Sequence, residues 1–221
     1  MTSATEILPE LRERGFVQQV SDEPALAALL GRSPVTFYAG FDPTASSLHV
    51  GSMIPLMAMA HLARAGHRPI AVLGGGTGMV GDPSGRTELR QMLTVEAIRE
   101  NRRAIEPQVR RLLGDAGDRA IVVDNADWLL PLNYLDFLRD IGRHFSVNRM
   151  LAAEAYRQRL EKGLSFIEFN YQILQAYDYL VLHRRYGCSL QVGGDENAPV
   201  GDYEAPFSYS GKLGTVRLEL E

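Results

Sequence analysis

The chain has 221 residues, 45% of them hydrophobic and 23% charged; it can form one or two cored domains, which excludes disordered, collagen-like and low-complexity classes. Its 23 basic and 27 acidic residues leave a net charge of −4, which announces no nucleic-acid partner, although a local basic face stays open. The single cysteine, Cys188, excludes an intrachain disulfide and suits a reducing compartment, no apolar run approaches the roughly 18 residues of a membrane span, and the first residues lack the apolar stretch of a signal or transit peptide.

Residues 5–15 are predicted to form a short amphipathic helix with Ile7, Leu8 and Leu11 on one side. A second helix is expected over 22–31, capped by Ser21 or Asp22 and stopped by Gly31. PVTFYAGF at 34–41 reads as a strand, ended by the turn Asp42-Pro43-Thr44. A long apolar helix over 48–65 stops at Gly66, and RPIAVLG at 68–74 reads as a strand buried on both faces. A glycine-rich loop, GGGTGMVGDPSGR, fills 74–86. The helix predicted over 94–113 has Thr94 as cap, and Pro107 is expected to kink or divide it.

AIVVDN at 120–125 is a third buried strand, and helices follow over 131–145 and 146–163. Ser165 and Glu168 form a capping box for a helix that runs to Tyr186 and stops at Gly187. CSLQVGG at 188–194 is a fourth strand. Strands alternating with helices predict an α/β fold, a doubly wound parallel sheet with right-handed crossovers. The last residues lose the helical period. Val216, Leu218 and Leu220 alternate with charged neighbours as a half-exposed strand does, and Phe207 to Tyr209 is its expected hairpin partner. The expected organisation is therefore a first unit over 1–195 and a tail over 196–221, whose strand is a candidate to cover the sheet edge.

Three constellations can carry chemistry. In the first, Tyr38, Gly40, Asp42 and Thr44 lead into His49, Gly51 and Ser52. A strand ends there and a helix begins, and the free N–H groups of a helix start suit a phosphate. Thr44 and His49 can donate to phosphate oxygens, while Gly40 and Gly51 admit a ligand close to the backbone. A tight turn with a capping histidine is the other reading. In the second, the loop 74–86 leaves a buried strand at its carboxyl end, where open α/β sheets bind ligands. It is not a P-loop, and its match to a dinucleotide fingerprint is weak. Asp82 can accept from an ammonium, and Arg86 and Arg90 can meet phosphates; a long surface loop is the alternative. In the third, Tyr171, Gln175 and Asp178 share one helix face, either as the wall of a polar pocket or as a solvated stripe. His61, His67, His144 and His183 show no metal-ligand spacing with Cys188, so no metal site is expected; they read as surface or supporting groups.

The ordered motifs YAGFDPTASSLHVGS (38–52), GGGTGMVGDPSGR (74–86), DNADWL (124–129), HFSVNRM (144–150), SFIEFNYQILQAYDYL (165–180) and LQVGGD (190–195) resemble the bacterial-type tyrosyl-tRNA synthetases. These are class I enzymes with a Rossmann-like catalytic domain, and the resemblance covers residues 5–195. It implies ATP-dependent activation of L-tyrosine to tyrosyl-adenylate for tRNA(Tyr). His49 and Gly51 match the signature that binds ATP, with Thr44 as partner of His49. Tyr38 and Asp178 match the pair that holds the tyrosine hydroxyl. Asp82, Tyr171 and Gln175 match the ammonium site. Gly40 and Asp42 match the nucleotide side, Gln191 and Gly193 lie near tyrosine and ribose, and Asn125 supports the tyrosine pocket. ATP with Mg²⁺, a homodimer through the segment near 124–165, and a cytoplasmic location are implied as well.

Ser52 stands where the signature usually has a second histidine, a change expected to tune ribose binding. After Gly194 the family pattern fades. No KMSKS-like lysine loop or tRNA-binding region is found, and Lys212 is the only lysine after Lys162. The chain is thus expected to be an incomplete catalytic unit with reduced activity, or a non-catalytic tyrosine-binding or dimerising module. A nucleotidyltransferase acting on another acceptor is a third reading. The tail weakly resembles the C-terminal hairpin of sulfatases without their catalytic residues.

Overall fold

A computed structural model describes residues 6–32, 34–82, 93–153, 156–157, 160, 163–194 and 216–219. In chain order these form α1 (Ile7–Glu13), β1 (Val17–Val20), α2 (Glu23–Arg32), β2 (Thr36–Phe41), α3 (Val50–Arg64), β3 (Arg68–Leu73), α4 (Val95–Leu112) and β4 (Ile121–Asp124). Then follow α5 (Ala126–Leu129), α6 (Tyr134–Asp140), α7 (Val147–Ala152), α8 (Phe166–Phe169), α9 (Tyr171–Tyr186), β5 (Cys188–Gly194) and β6 (Val216–Glu219).

The strands make one sheet in the order β1-β6-β5-β2-β3-β4. β2, β3, β4 and β5 are mutually parallel, as the alternation of strands and helices predicts. β2 and β3 lie inside the sheet, and their side chains divide by parity. Phe37, Ala39, Phe41, Ala71 and Leu73 join a core with α1 to α4, while Tyr38, Ile70 and Val72 join one with Trp128 and α9. Burial on both faces is why these two strands read as continuous apolar runs.

Several local signals act as expected. Asp22 caps α2 by accepting from the Ala25 amide at 3.0 Å, and Thr94 caps α4 by accepting from the Ala97 amide at 3.1 Å. The Ser165–Glu168 capping box is formed, and Gly187 ends α9 at φ 66°, a left-handed conformation that favours glycine. Other signals are corrected. Pro107 does not divide α4, whose buried stripe of Ile98, Ile105 and Val109 holds one continuous helix. Packing of that stripe outweighs the roughly 3 kcal/mol that an interior proline costs. The helix expected over 165–186 is two elements meeting at Asn170. The helix expected from 146 ends at Ala152, where Ala153 turns extended.

Strand β1 was not expected, being four residues at the sheet edge. His61 and His67 are buried, not at the surface, whereas His144 and His183 are exposed. His61 Nδ1 lies 3.1 Å from Glu10, and His67 Nδ1 accepts from the Val35 amide at 3.1 Å. Burial lowers the pKa of both imidazoles. In the tail, β6 runs antiparallel to β5 and parallel to β1. Its expected hairpin partner lies outside the described residues. Among the described residues no helix is long and apolar enough to cross a membrane.

Candidate functional site

β2, β3 and β4 end side by side, and each is followed by a polar residue or loop: Asp42, then Gly74 to Thr77, then Asn125. The chain reverses its order in the sheet between β2 and β5, the position at which open α/β sheets leave a crevice. α9 crosses this end with Tyr171 and Asp178. The result is a buried polar network joining four elements.

Asn125 is its hub and is 1% exposed. Its Oδ1 accepts from the Gly76 amide at 2.7 Å and the Thr77 amide at 3.4 Å. Its Nδ2 donates to Thr77 Oγ1 at 2.9 Å and to Asp178 Oδ2 at 2.9 Å. Thr77 donates onward to Asp42 Oδ1 at 2.7 Å, and Tyr171 donates to Asp42 Oδ2 at 3.0 Å. Trp128 Nε1 donates to Asp178 Oδ1 at 2.7 Å. The glycines make these bonds possible. A Cβ at Gly74 would overlap the Asp42 carboxylate, and one at Gly76 would crowd Leu129 and Asn125.

Burial pushes the Asp178 carboxyl up to about 7; the donors Asn125 and Trp128 pull it back, and the nearby Asp42 charge pushes it further up. Tyr171 is raised well above the usual phenol range, by burial first and then by the Asp42 carboxylate, so it stays a donor. Tyr156 steadies the junction between α8 and α9. Its hydroxyl donates to the Phe169 carbonyl at 3.0 Å and accepts from the Gln172 amide at 3.1 Å. Burial pushes Tyr156 up to about 12.

The other expected site residues fall around this network. Tyr38 is buried in the middle of β2, with its ring 5.7 Å from that of Tyr179, next to Asp178 on α9. Gln191 is paired with Tyr38 across β5, and Gly193 lies further along that strand. Gly40 is exposed at the end of β2, and the space its Cβ would take is open. Thr44 lies half-buried in the following loop, and His49 is exposed at the N-cap of α3. Its side chain makes no capping bond, and a Cβ on Gly51 would meet the His49 ring at 3.0 Å. Ser52 occupies the first turn of α3. Asp82 is half-buried, and its charge reaches Tyr156 and Tyr171. Gln175 is exposed. Arg86 and Arg90 lie outside the described residues.

Sequence reasoning passed over Thr77 and Trp128 as functional groups. Trp128 is the one tryptophan of the chain, in the quoted DNADWL string, and that was the available signal. Thr77 carried no signal beyond its place among glycines. Among the described residues, no group of three His, Cys, Asp or Glu side chains gathers to hold a metal ion.

The raised Asp178 carboxyl has a stability consequence. Between the ordinary carboxyl value, about 4, and about 7, the folded chain holds a proton that the unfolded chain has released. Its contribution is therefore fully present below about 4 and lost as pH rises through about 7. The stability difference, wild type minus Asp178→Asn, should fall by on the order of 1 kcal/mol per pH unit between pH 5 and 7. Urea melts of both proteins at several pH values measure it, and the two buried histidines cancel in the difference. A difference that stays flat would mean that the carboxyl ionises in its ordinary range.

Residues 31–200 match the family described as tRNA synthetases class I (W and Y). The chain is 58% identical over 190 residues to the tyrosine--tRNA ligase of Clostridium botulinum (strain Eklund 17B / Type B), covering 86% of this chain and 47% of that protein. It is 56% identical over 186 residues to that of Fusobacterium nucleatum, covering 84% and 46%. It thus spans about half the length of these relatives. Among solved structures, a C-terminally truncated mitochondrial tyrosyl-tRNA synthetase from Aspergillus nidulans superposes with a TM-score of 0.79 at 29% identity, over 100% of this chain and 69% of that one. Tyrosyl-tRNA synthetase from Archaeoglobus fulgidus, complexed with L-tyrosine, shares the fold with a TM-score of 0.61 at 21% identity, over 84% and 54%.

Proposed function

Because the chain belongs to the class I tRNA synthetases (W and Y), with their Rossmann-like α/β sheet, we propose that it activates L-tyrosine with ATP, forming tyrosyl-adenylate for transfer to tRNA(Tyr). The observation that carries the choice of tyrosine is Asp178: a buried carboxyl group oriented by Asn125 and Trp128, one residue before Tyr179, whose ring lies 5.7 Å from that of Tyr38. A phenolic hydroxyl entering there finds a hydrogen-bonding carboxyl group already held in position by two donors.

In this reading Tyr38 and Asp178 hold the hydroxyl, while Asp82, Tyr171 and Gln175 hold the ammonium, with Tyr171 itself fixed by Asp42. Gln191 and Gly193 border tyrosine and ribose. The substrate carboxylate oxygen attacks the α-phosphorus of ATP. The bond to the bridging oxygen breaks, and pyrophosphate leaves with that electron pair. No side-chain nucleophile is required, so catalysis is positioning and stabilisation of phosphate charge. The open space over Gly40 suits the nucleotide, with Asp42 bordering it. His49 and Thr44 donate to phosphate oxygens, Gly51 lets the chain approach closely, and Ser52 takes the ribose side. By analogy with oxyanion donors, His49 supplies about 3 kcal/mol. Mg²⁺ accompanies ATP and neutralises its phosphate oxygens.

A homodimer accompanies this reading. Leu130, Tyr134, Leu135, Leu138 and Phe166 are exposed on the α5–α6 and α8 segments, apolar side chains that a partner copy would cover. A cytoplasmic setting is proposed with this reading, and recovery of the protein with membranes would contradict it. Sedimentation with a calorimetric titration tests the proposal. Expected are twice the chain mass, saturable binding of L-tyrosine, and heat from ATP only with Mg²⁺ present. A folded chain that binds neither tyrosine nor ATP would end the enzymatic reading; a monomer would end the dimer.

A further inference from the structure

We propose that Asn101 and Gln108 on α4 are positioning residues for the nucleotide half of the site, acting by fixing the loop 43–48 that carries Thr44 and delivers the chain to His49. The inference rests on the reading of that loop as facing the nucleotide.

Residues 43–48 belong to no helix or strand, so their backbone polar groups need partners elsewhere. Gln108 supplies them at one end. Its Oε1 accepts from the Leu48 amide at 3.1 Å and from Ser47 Oγ at 3.5 Å. Its Nε2 donates to the Ser46 carbonyl at 3.0 Å and to the Ala104 carbonyl of its own helix at 2.8 Å. One side-chain amide thus pairs with residues 46 and 48 much as a neighbouring strand would. Asn101 acts at the other end, donating through Nδ2 to the Pro43 carbonyl at 3.1 Å.

The two residues are seven apart, two turns along one helix face, so they grip the loop about 10 Å apart. Between them Ile105 is 1% exposed in the core, which fixes α4 against the sheet. The loop therefore inherits the position of a rigid helix. The hydrogen bonds described above for Asp178, Asn125, Trp128 and Tyr171 do not involve Asn101 or Gln108. Loosening the clamp should leave the tyrosine pocket intact and misplace Thr44 and His49.

The test compares two affinities in the whole chain: L-tyrosine alone, and a non-hydrolysable sulfamoyl analogue of tyrosyl-adenylate, which adds the nucleotide half. Gln108→Ala should weaken the analogue by about tenfold while tyrosine binding stays within about twofold. Adding Asn101→Ala should deepen the loss. Gln108→Glu keeps the acceptor for Leu48 and removes the donor to Ser46, so it should fall between; it also carries the test if Gln108→Ala fails to fold. Equal weakening of both ligands, or no change in either, overturns the proposal. A wild-type chain that binds neither ligand overturns the functional reading with it. Wild type binding both, with variants that keep analogue affinity, overturns the clamp alone.

Discussion

Tyr38→Phe and Asp178→Ala should each erode the preference of the chain for tyrosine over phenylalanine, by about tenfold and by about a hundredfold or more. The difference follows from what each substitution leaves behind. Tyr38→Phe keeps the ring that packs against Tyr179 and removes one hydroxyl from the pocket. A single hydrogen bond of that kind is worth about 1–1.5 kcal/mol. Asp178→Ala removes the carboxyl group itself, leaves Trp128 Nε1 without its acceptor and takes from Asn125 Nδ2 one of its two acceptors, Thr77 Oγ1 being the other.

A site built around a substrate hydroxyl rejects the analogue lacking it because its own polar groups are left dry and unpaired. Tyrosyl-tRNA synthetases are themselves the standard instance of that rule, with a rejection of about 10⁵; the figure belongs to those enzymes and sets only a ceiling here. Calorimetric titration of wild type and both variants with each amino acid reads the ratio directly. Thermal melts confirm that the variants are folded. If Asp178→Ala discriminates as wild type does, the phenol does not sit at Asp178, and the assignment of tyrosine fails.

Asn125→Ala should be the most destabilising substitution in the site, at about 3–5 kcal/mol, lowering Tm by about 10 °C. The cost is not one bond. The Gly76 and Thr77 amides lose their acceptor, and Thr77 Oγ1 and Asp178 lose a donor, all in a place from which water is largely excluded. Each stranded buried group costs about 1–3 kcal/mol, partly relieved if water enters the space left by the amide. Asn125→Asp separates the two halves of the role. It keeps the acceptor for Gly76 and Thr77 but sets a second carboxyl against Asp178, so its deficit should grow with pH. Urea and thermal melts at two pH values measure this. A loss under about 1 kcal/mol for Asn125→Ala would show that the network is not a structural hub.

Much of the fold was legible because its signals are local. The β-branched and aromatic run of Thr36–Phe41, the capping box at Ser165 and the glycine after Tyr186 each act within a few residues. The failures were local signals overruled by packing. Pro107 was expected to kink or divide α4; it does not divide it, because the buried stripe on either side of it holds one continuous helix together. Val17–Val20 carried no clear alternation, and became a strand because an edge was there to pair with.

The candidate site was legible as a set of residue types. Tyr171 and Asp178 on one helix face, Asp42 after a strand and the quoted motifs are all properties of the string of letters. Its connections were not. Tyr171 meets Asp42 across 129 residues of chain, and Asn125 meets Asp178 across 53. Gln108 shows nothing in its neighbourhood that marks it as the clamp on a loop 60 residues earlier.

Strand β5 shows the division most sharply. By strict alternation Cys188 and Leu190 would share a face and Gln191 would oppose them. The pairing with β2 instead slips by one residue between Cys188 and Leu190, so Leu190 stands with Phe37 and Gln191 stands beside Tyr38. Alone, the sequence determined the kinds of element, their order and the chemical groups available, because helix and strand periods come from sterics between near neighbours. Which of those groups meet was decided by the tertiary structure, because register and side-chain hydrogen bonds depend on how separate elements are packed against one another.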